Sequence, residues 1–167
     1  RRDEEFIFTF FRDLSLKNSD ITLIDKGLKR FVELQELNLS GNLLHTLHSL
    51  PKNLVVLNAY ANHITTIKVN GETPPLLHLG LGYNELRSLD QVLPFAETLI
   101  SLDISFNHLC SLSEACRHLA FFPRLKYLYL VGNPLALAKH YRAAIVARFP
   151  QLEVLDGVPC EDKSTEE

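Results

Sequence analysis

The residues of this chain best suited to chemistry are seven histidines, three cysteines and one glycine-rich run. The run, Gly80-Leu-Gly82-Tyr-Asn-Glu85, begins like a dinucleotide fingerprint, in which glycines let backbone N–H groups approach a pyrophosphate at a strand-to-helix turn. Its third glycine is missing and no Walker-type loop occurs elsewhere, so phosphate binding is not expected. A metal site needs several His, Cys or carboxylate donors converging. His45 and His48 lie three apart, and His63 and His108 each follow an asparagine, but no cysteine or carboxylate stands at ligand spacing from them. They read as solvated surface groups. No serine occupies a nucleophile-elbow sequence. The expectation is a non-enzyme with no catalytic residue, no metal and no cofactor, whose chemistry is recognition.

The elements that must position any recognition surface come from a repeat. Leu34-Gln-Glu-Leu37-Asn-Leu39-Ser-Gly-Asn42-Leu-Leu44 spells L-x-x-L-x-L-x-x-N-x-L, the signature of a leucine-rich repeat. The frame returns with Leu54, Leu57, Asn62 and Ile64, then Leu76, Leu79, Leu81, Asn84 and Leu86. It returns again with Leu99, Leu102, Ile104, Asn107 and Leu109, and with Leu125, Leu128, Leu130, Asn133 and Leu135. A degenerate copy opens the series, with Ser19 at the asparagine position, and Ala59 replaces a core leucine in the third coil, where local repacking is expected. The asparagine spacings are 20, 22, 23 and 26 residues. The fold class this predicts is α/β, a right-handed leucine-rich repeat solenoid with a parallel concave sheet. Turns, 3-10 segments and helices would lie on its convex side.

One domain is expected over residues 1–158: an N-terminal cap at 1–10, six repeats over 11–135, and a terminal helix and last strand over 136–158. The charged residues 159–167 read as a disordered tail. Phe6, Phe8, Phe10 and Phe11 would cover the first coil; their alternation suits a strand, the charged start a helix, and both readings stand. The short returns after Asn42 and Asn62 suit turns or 3-10 pieces. Ser113 would cap a helix through about His118, and the stretch between Pro134 and Pro150 reads as one terminal helix.

Leucine fills about one position in five, Met and Trp are absent, and the formal net charge is -3. That mild charge does not favour a polyanion partner, so no nucleic acid is expected. No apolar run approaches bilayer length, and no signal peptide or membrane anchor is read. Cys110, Cys116 and Cys160 form an odd set without C-x-x-C, which suits a reduced, cytoplasmic setting. Asn38-Leu39-Ser40 matches the glycosylation pattern but falls in a strand. A start without methionine reads as a segment of a longer protein.

Side chains alternate across a strand, so the leucines point in and the residues between them point out. The asparagines Asn42, Asn62, Asn84, Asn107 and Asn133 should stack as an internal ladder satisfying buried backbone groups. Three outward columns follow from the frame. The first includes Glu36, His78 and Tyr127, the second Asn58, Gly80, Asp103 and Tyr129, and the third Lys17, Tyr60 and Gly82. Lys17 is the one cation in them, which argues further against a phosphate backbone. Gly80 and Gly82 should leave a bare dip walled by Tyr60, Tyr127 and Tyr129. Seven strands about 4.8 Å apart span roughly 29 Å, so a partner helix or extended segment could lie along the trough, with a large side chain over the glycines. The protein-binding residues expected there are Glu36, Asn58, Tyr60, His78, Gly80, Gly82, Asp103, Tyr127 and Tyr129.

The short repeats, followed by a helix and Phe149-Pro-Gln-Leu-Glu-Val-Leu-Asp-Gly157, resemble the intracellular leucine-rich repeat proteins with a dedicated C-terminal cap. Phe10-Phe-Arg-Asp-Leu14, His78-Leu-Gly-Leu-Gly-Tyr-Asn-Glu-Leu86 and Val131-Gly-Asn-Pro-Leu-Ala-Leu137 are similar to a narrower group of such proteins from motile cilia. The resemblance implies a protein-binding scaffold or adaptor of the cilium or axoneme, a monomer within a larger assembly. The wider group also implies two alternatives: a regulatory subunit holding a phosphatase or dynein motor, or a ribonucleoprotein component.

Overall fold

The computed structural model describes residues 2–160, with side chains from residue 5 onward. Its framework is a sheet of short strands: β1 (Asp13–Ser15), β2 (Glu36–Asn38), β4 (Val56–Asn58), β6 (His78–Gly80), β7 (Ser101–Asp103), β8 (Tyr127–Tyr129), β9 (Val154–Leu155) and β10 (Val158–Pro159). All neighbours are parallel except β9 and β10, an antiparallel pair that closes the C-terminal edge. The register places Glu36 opposite Val56, Val56 opposite His78, His78 opposite Ser101 and Ser101 opposite Tyr127. These are the columns the repeat frame requires. Between them Leu37, Leu57, Leu79, Leu102 and Leu128 are fully buried, each worth about 2 kcal/mol of burial.

What lies on the opposite side follows return length. The two shortest returns, after Asn42 and Asn62, hold no 3-10 piece, and beside the expected turn at residues 52–53 they contain strands. They pair as a second, two-stranded parallel sheet of β3 (Thr46–Leu47) and β5 (Thr66–Ile67). Threonine-leucine and threonine-isoleucine pairs alternate half-buried with buried, which is strand patterning. Gln91 ends that sheet by accepting the Ile67 N–H at 3.0 Å. The next return is 3-10 over Leu89–Phe95, and the one after it is helix α2 (Leu112–Leu119). More residues per coil cover the same span only in a more compact element. Ser111, rather than Ser113, caps α2 by accepting from the Glu114 N–H.

At the N-terminus, Arg2–Phe10 forms helix α1. Only part of the expected cap packing is found. Phe8 meets Phe31 edge-on at 4.8 Å under the Arg30 guanidinium, whereas Phe6 stacks on Phe10 and both are exposed with Phe11. At the C-terminus the expected single helix is two pieces. A 3-10 segment, Pro134–Leu137, is separated from helix α3 (Tyr141–Arg148) by His140 in the left-handed region. The break aims Tyr141 at the last coil, where its hydroxyl donates to Asp156, and Arg142 reaches the carbonyls of Leu155, Val158 and Pro159. Pro159 is therefore in a paired strand and Cys160 packs on the core, so the ordered cap runs past the boundary expected at 158. Residues 161–167 of the expected tail lie outside the described residues.

The asparagines stitch the coils together. Asn84 Nδ2 donates to Leu81 O of its own coil and to Ala59 O of the preceding one, while its Oδ1 accepts the Ile64 N–H. Asn62, Asn107 and Asn133 repeat the pattern. Asn42 bonds to Leu16 O and Leu39 O, and accepts from both Ser19 and Ile21 in the degenerate first coil. Asp156 ends the series by accepting from Leu130 and Val131 N–H groups.

Candidate functional site

The outward columns share one face, but the dip between them is filled. A Cβ built on Gly80 would lie 2.4 Å from the Tyr60 ring, and one on Gly82 3.0 Å from it. Tyr60 thus lies over both glycines as a roof, and both are buried beneath it. This corrects the expectation of a bare trough walled by Tyr60, with room for a partner side chain over Gly80 and Gly82. The glycines are needed by Tyr60 itself, because a side chain on either would push the ring off the sheet. Burial, and next the Asp103 carboxylate beside its hydroxyl, push the Tyr60 phenol above its usual range. Asp103 is also held by Ser105, whose N–H and Oγ–H both donate to it at 2.9 and 2.6 Å.

Beside this roof, His78 bridges two strands. Its Nδ1 lies 2.8 Å from Ser101 Oγ and its Nε2 3.2 Å from Asn58 Oδ1. An amide oxygen only accepts, so Nε2 carries the proton and Nδ1 accepts from the serine. Burial lowers the His78 pKa, with Asp103 opposing it. The order Ser101–His78–Asn58 resembles a nucleophilic relay, but catalysis also needs free donors for an oxyanion. The neighbouring amides are engaged in the sheet: His78 with Val55 O, Leu81 with Asp103 O, Ile104 with Tyr129 O. The trio ties strands together.

The remaining expected site residues divide. Glu36 is exposed at the N-terminal end of the face, and Tyr127 is exposed at the other end with Tyr129 half-buried. The Tyr127 hydroxyl donates to Glu153, which also pairs with Lys126 at 2.5 Å. Those bonds hold the Glu153 carboxyl below its usual range and raise both Tyr127 and Lys126. Asn58, Tyr60, His78, Gly80, Gly82 and Asp103 form one contiguous, internally bonded patch; Glu36 stands apart from it.

A second surface lies one position before Ser19 and before each of the five ladder asparagines. Asn18, Gly41, Ala61, Tyr83, Phe106 and Gly132 all have positive φ there. Glycine and asparagine suit that backbone; Tyr and Phe do not. Tyr83 and Phe106 nevertheless stack 4.4 Å apart with planes within 6°, at 57% and 43% exposure. Gly132 makes the room, since a Cβ there would lie 2.4 Å from the Phe106 ring. The signal was available in the sequence: two aromatics stand where other coils have glycine. Among the described residues, no group of three His, Cys, Asp or Glu could hold a metal, and no helix is long and apolar enough to cross a membrane.

The coil-by-coil register, leucine core and asparagine ladder define a leucine-rich repeat protein, and the Leucine Rich Repeat family model matches residues 33–54. The chain is a leucine-rich repeat protein by both fold and sequence likeness. It is 37% identical over 163 residues, 93% of its length, to leucine-rich repeat-containing protein 43 of Homo sapiens, and 36% identical to that of Mus musculus. It spans about a quarter of the length of these curated relatives, 25% and 24%. Among solved structures it is similar to a chain of the Drosophila melanogaster SNF/U2A' complex, with a TM-score of 0.55 and 26% identity over 90% of this chain and 75% of that one. The LRIM1/APL1C complex gives a TM-score of 0.62 and 26% identity over 80% of this chain and 24% of that one.

Proposed function

We propose that this chain is a scaffold or adaptor that docks a segment of a partner protein across its concave face, in the cytoplasm and at the axoneme of motile cilia. It acts there as a monomer within a larger assembly. The observation carrying the proposal is the makeup of the outward columns. Tyr127, Tyr129 and Val131 give the C-terminal half an aromatic and apolar surface, while Asn58, His78 and Asp103 give the middle a polar one already satisfied internally and Glu36 stands exposed at the far end. Such a face buries area on a partner without leaving unpaired groups behind. Tyr60 belongs to the scaffold of this face, since it roofs the glycines. Support for a protein partner comes from the relatives solved as protein complexes; the ciliary placement rests on the family resemblance.

Proximity labelling in ciliated cells supplies the test. Tyr127→Ala with Tyr129→Ala should weaken capture of the main axonemal partner at least tenfold, on the scale of interface tyrosines, with the melting temperature unchanged within about 3 °C. Unchanged capture would remove the concave face from the proposal. Recovery of splicing factors, or of a phosphatase catalytic subunit, in place of structural axonemal proteins would replace the scaffold reading with one of its rivals.

A further inference from the structure

We propose that the rim of the solenoid carries an arginine-recognition slot, formed by the open face of Tyr83 and the Glu85 carboxylate above Ala61. It rests on the protein-binding reading but not on the concave face. Neighbouring coils are about 4.8 Å apart, and the Tyr83 and Phe106 rings stack at 4.4 Å. The rings therefore stack along the solenoid axis, with Phe106 on Gly132 and Tyr83 on Phe106. The other face of Tyr83 must look back toward the third coil. There the same position carries only the Ala61 methyl, and the second coil carries Gly41 with Asn18 folded over it. One coil's width is open beside an exposed phenol ring.

Glu85, two residues after Tyr83, leans the same way, since its Oε1 lies 2.9 Å from His63 Nδ1 on that third coil. Both side chains are about half exposed. A flat cation entering the slot would stack on Tyr83 and pair with Glu85 at once. A guanidinium suits that double demand, because it is planar, weakly hydrated and forks onto carboxylates. An ammonium gives a point charge without the stack. The backbone adds a second line of argument: Tyr83 and Phe106 sit at φ +56 and +52, where a bulky residue is strained. A surface with no use for the rings would be better served by the glycine found in two other coils.

The test uses the purified chain with nona-arginine and nona-lysine peptides, by calorimetry in matched salt. Nona-arginine should bind about five times more tightly. Tyr83→Asn and Glu85→Gln should each bring it within twofold of nona-lysine, and amide shifts on binding should centre on Ala61, Tyr83 and Glu85. Tyr83→Asn relieves strain as it removes the stack, so its melting temperature should stay within about 3 °C of wild type. Equal affinity for the two peptides, or a preference that survives Tyr83→Asn, would overturn the slot. Neither result would touch the concave-face reading, which the Tyr127 and Tyr129 variants test separately.

Discussion

In each coil two consecutive residues turn the chain off the strand, and they follow different rules. The second is the ladder asparagine, buried and bonded to two coils, and it is Asn in five coils. The first has positive φ throughout, yet it is Asn, Gly, Ala, Tyr, Phe and Gly in turn. The backbone demand is the stricter at the first, which alone has positive φ. The difference is where the side chain goes. Inward, a wrong residue leaves a buried N–H unpaired, at about 1–3 kcal/mol, and removes one of two donors from the carbonyls it shares with the next asparagine. Outward, it meets solvent and costs only local strain, so the position is free to carry recognition chemistry. A repeat thus keeps one column uniform for stability and lets the adjacent one vary.

The comparison can be broken at the ladder first. Asn84→Leu would leave the Ile64 N–H unpaired and take one of two donors from each of the Ala59 and Leu81 carbonyls, which keep Asn62 and Asn107. Roughly 3 kcal/mol should be lost in urea unfolding, whereas Tyr83→Asn, one residue earlier, leaves stability nearly unmoved. A small loss in Asn84→Leu would mean that the ladder is not what holds the coils together.

The sheet centre offers an intermediate effect. Gly80→Ala puts a methyl into the Tyr60 ring and should cost about 2 kcal/mol by overpacking. In a Tyr60→Ala background the same change should cost almost nothing, because the clash is gone. Equal losses in both backgrounds would show that the ring does not rest on the glycine.

The smallest effect is a pH dependence on the outward face. The His78 pKa is lowered by burial, so the unfolded chain binds its proton more readily. Stability from this site is whole above the ordinary histidine value near 6.5 and is lost as pH falls from there through the lowered folded value. His78→Gln should flatten that part of the stability–pH curve. An unchanged slope in the variant would place the titration elsewhere.

The sequence by itself determined the coil count, the inward leucines, the strand register and the asparagine column. Each is a periodic pattern in which one residue type answers one local demand, so spacing alone reveals it. The family resemblance was equally legible in the Leu-Gly-Leu-Gly stretch and the terminal cap motif. Tertiary structure decided what lies across the coils. That Tyr60 folds onto Gly80 and Gly82, rather than standing beside them, depends on a rotamer chosen by contacts 20 and 22 residues away. That Tyr83 finds Phe106, that two short returns pair as strands, and that Asp156 closes the ladder depend likewise on neighbours one coil distant. Periodicity fixes which face a side chain occupies; the direction it leans on that face is set by the size of its neighbours, and here the glycines set it.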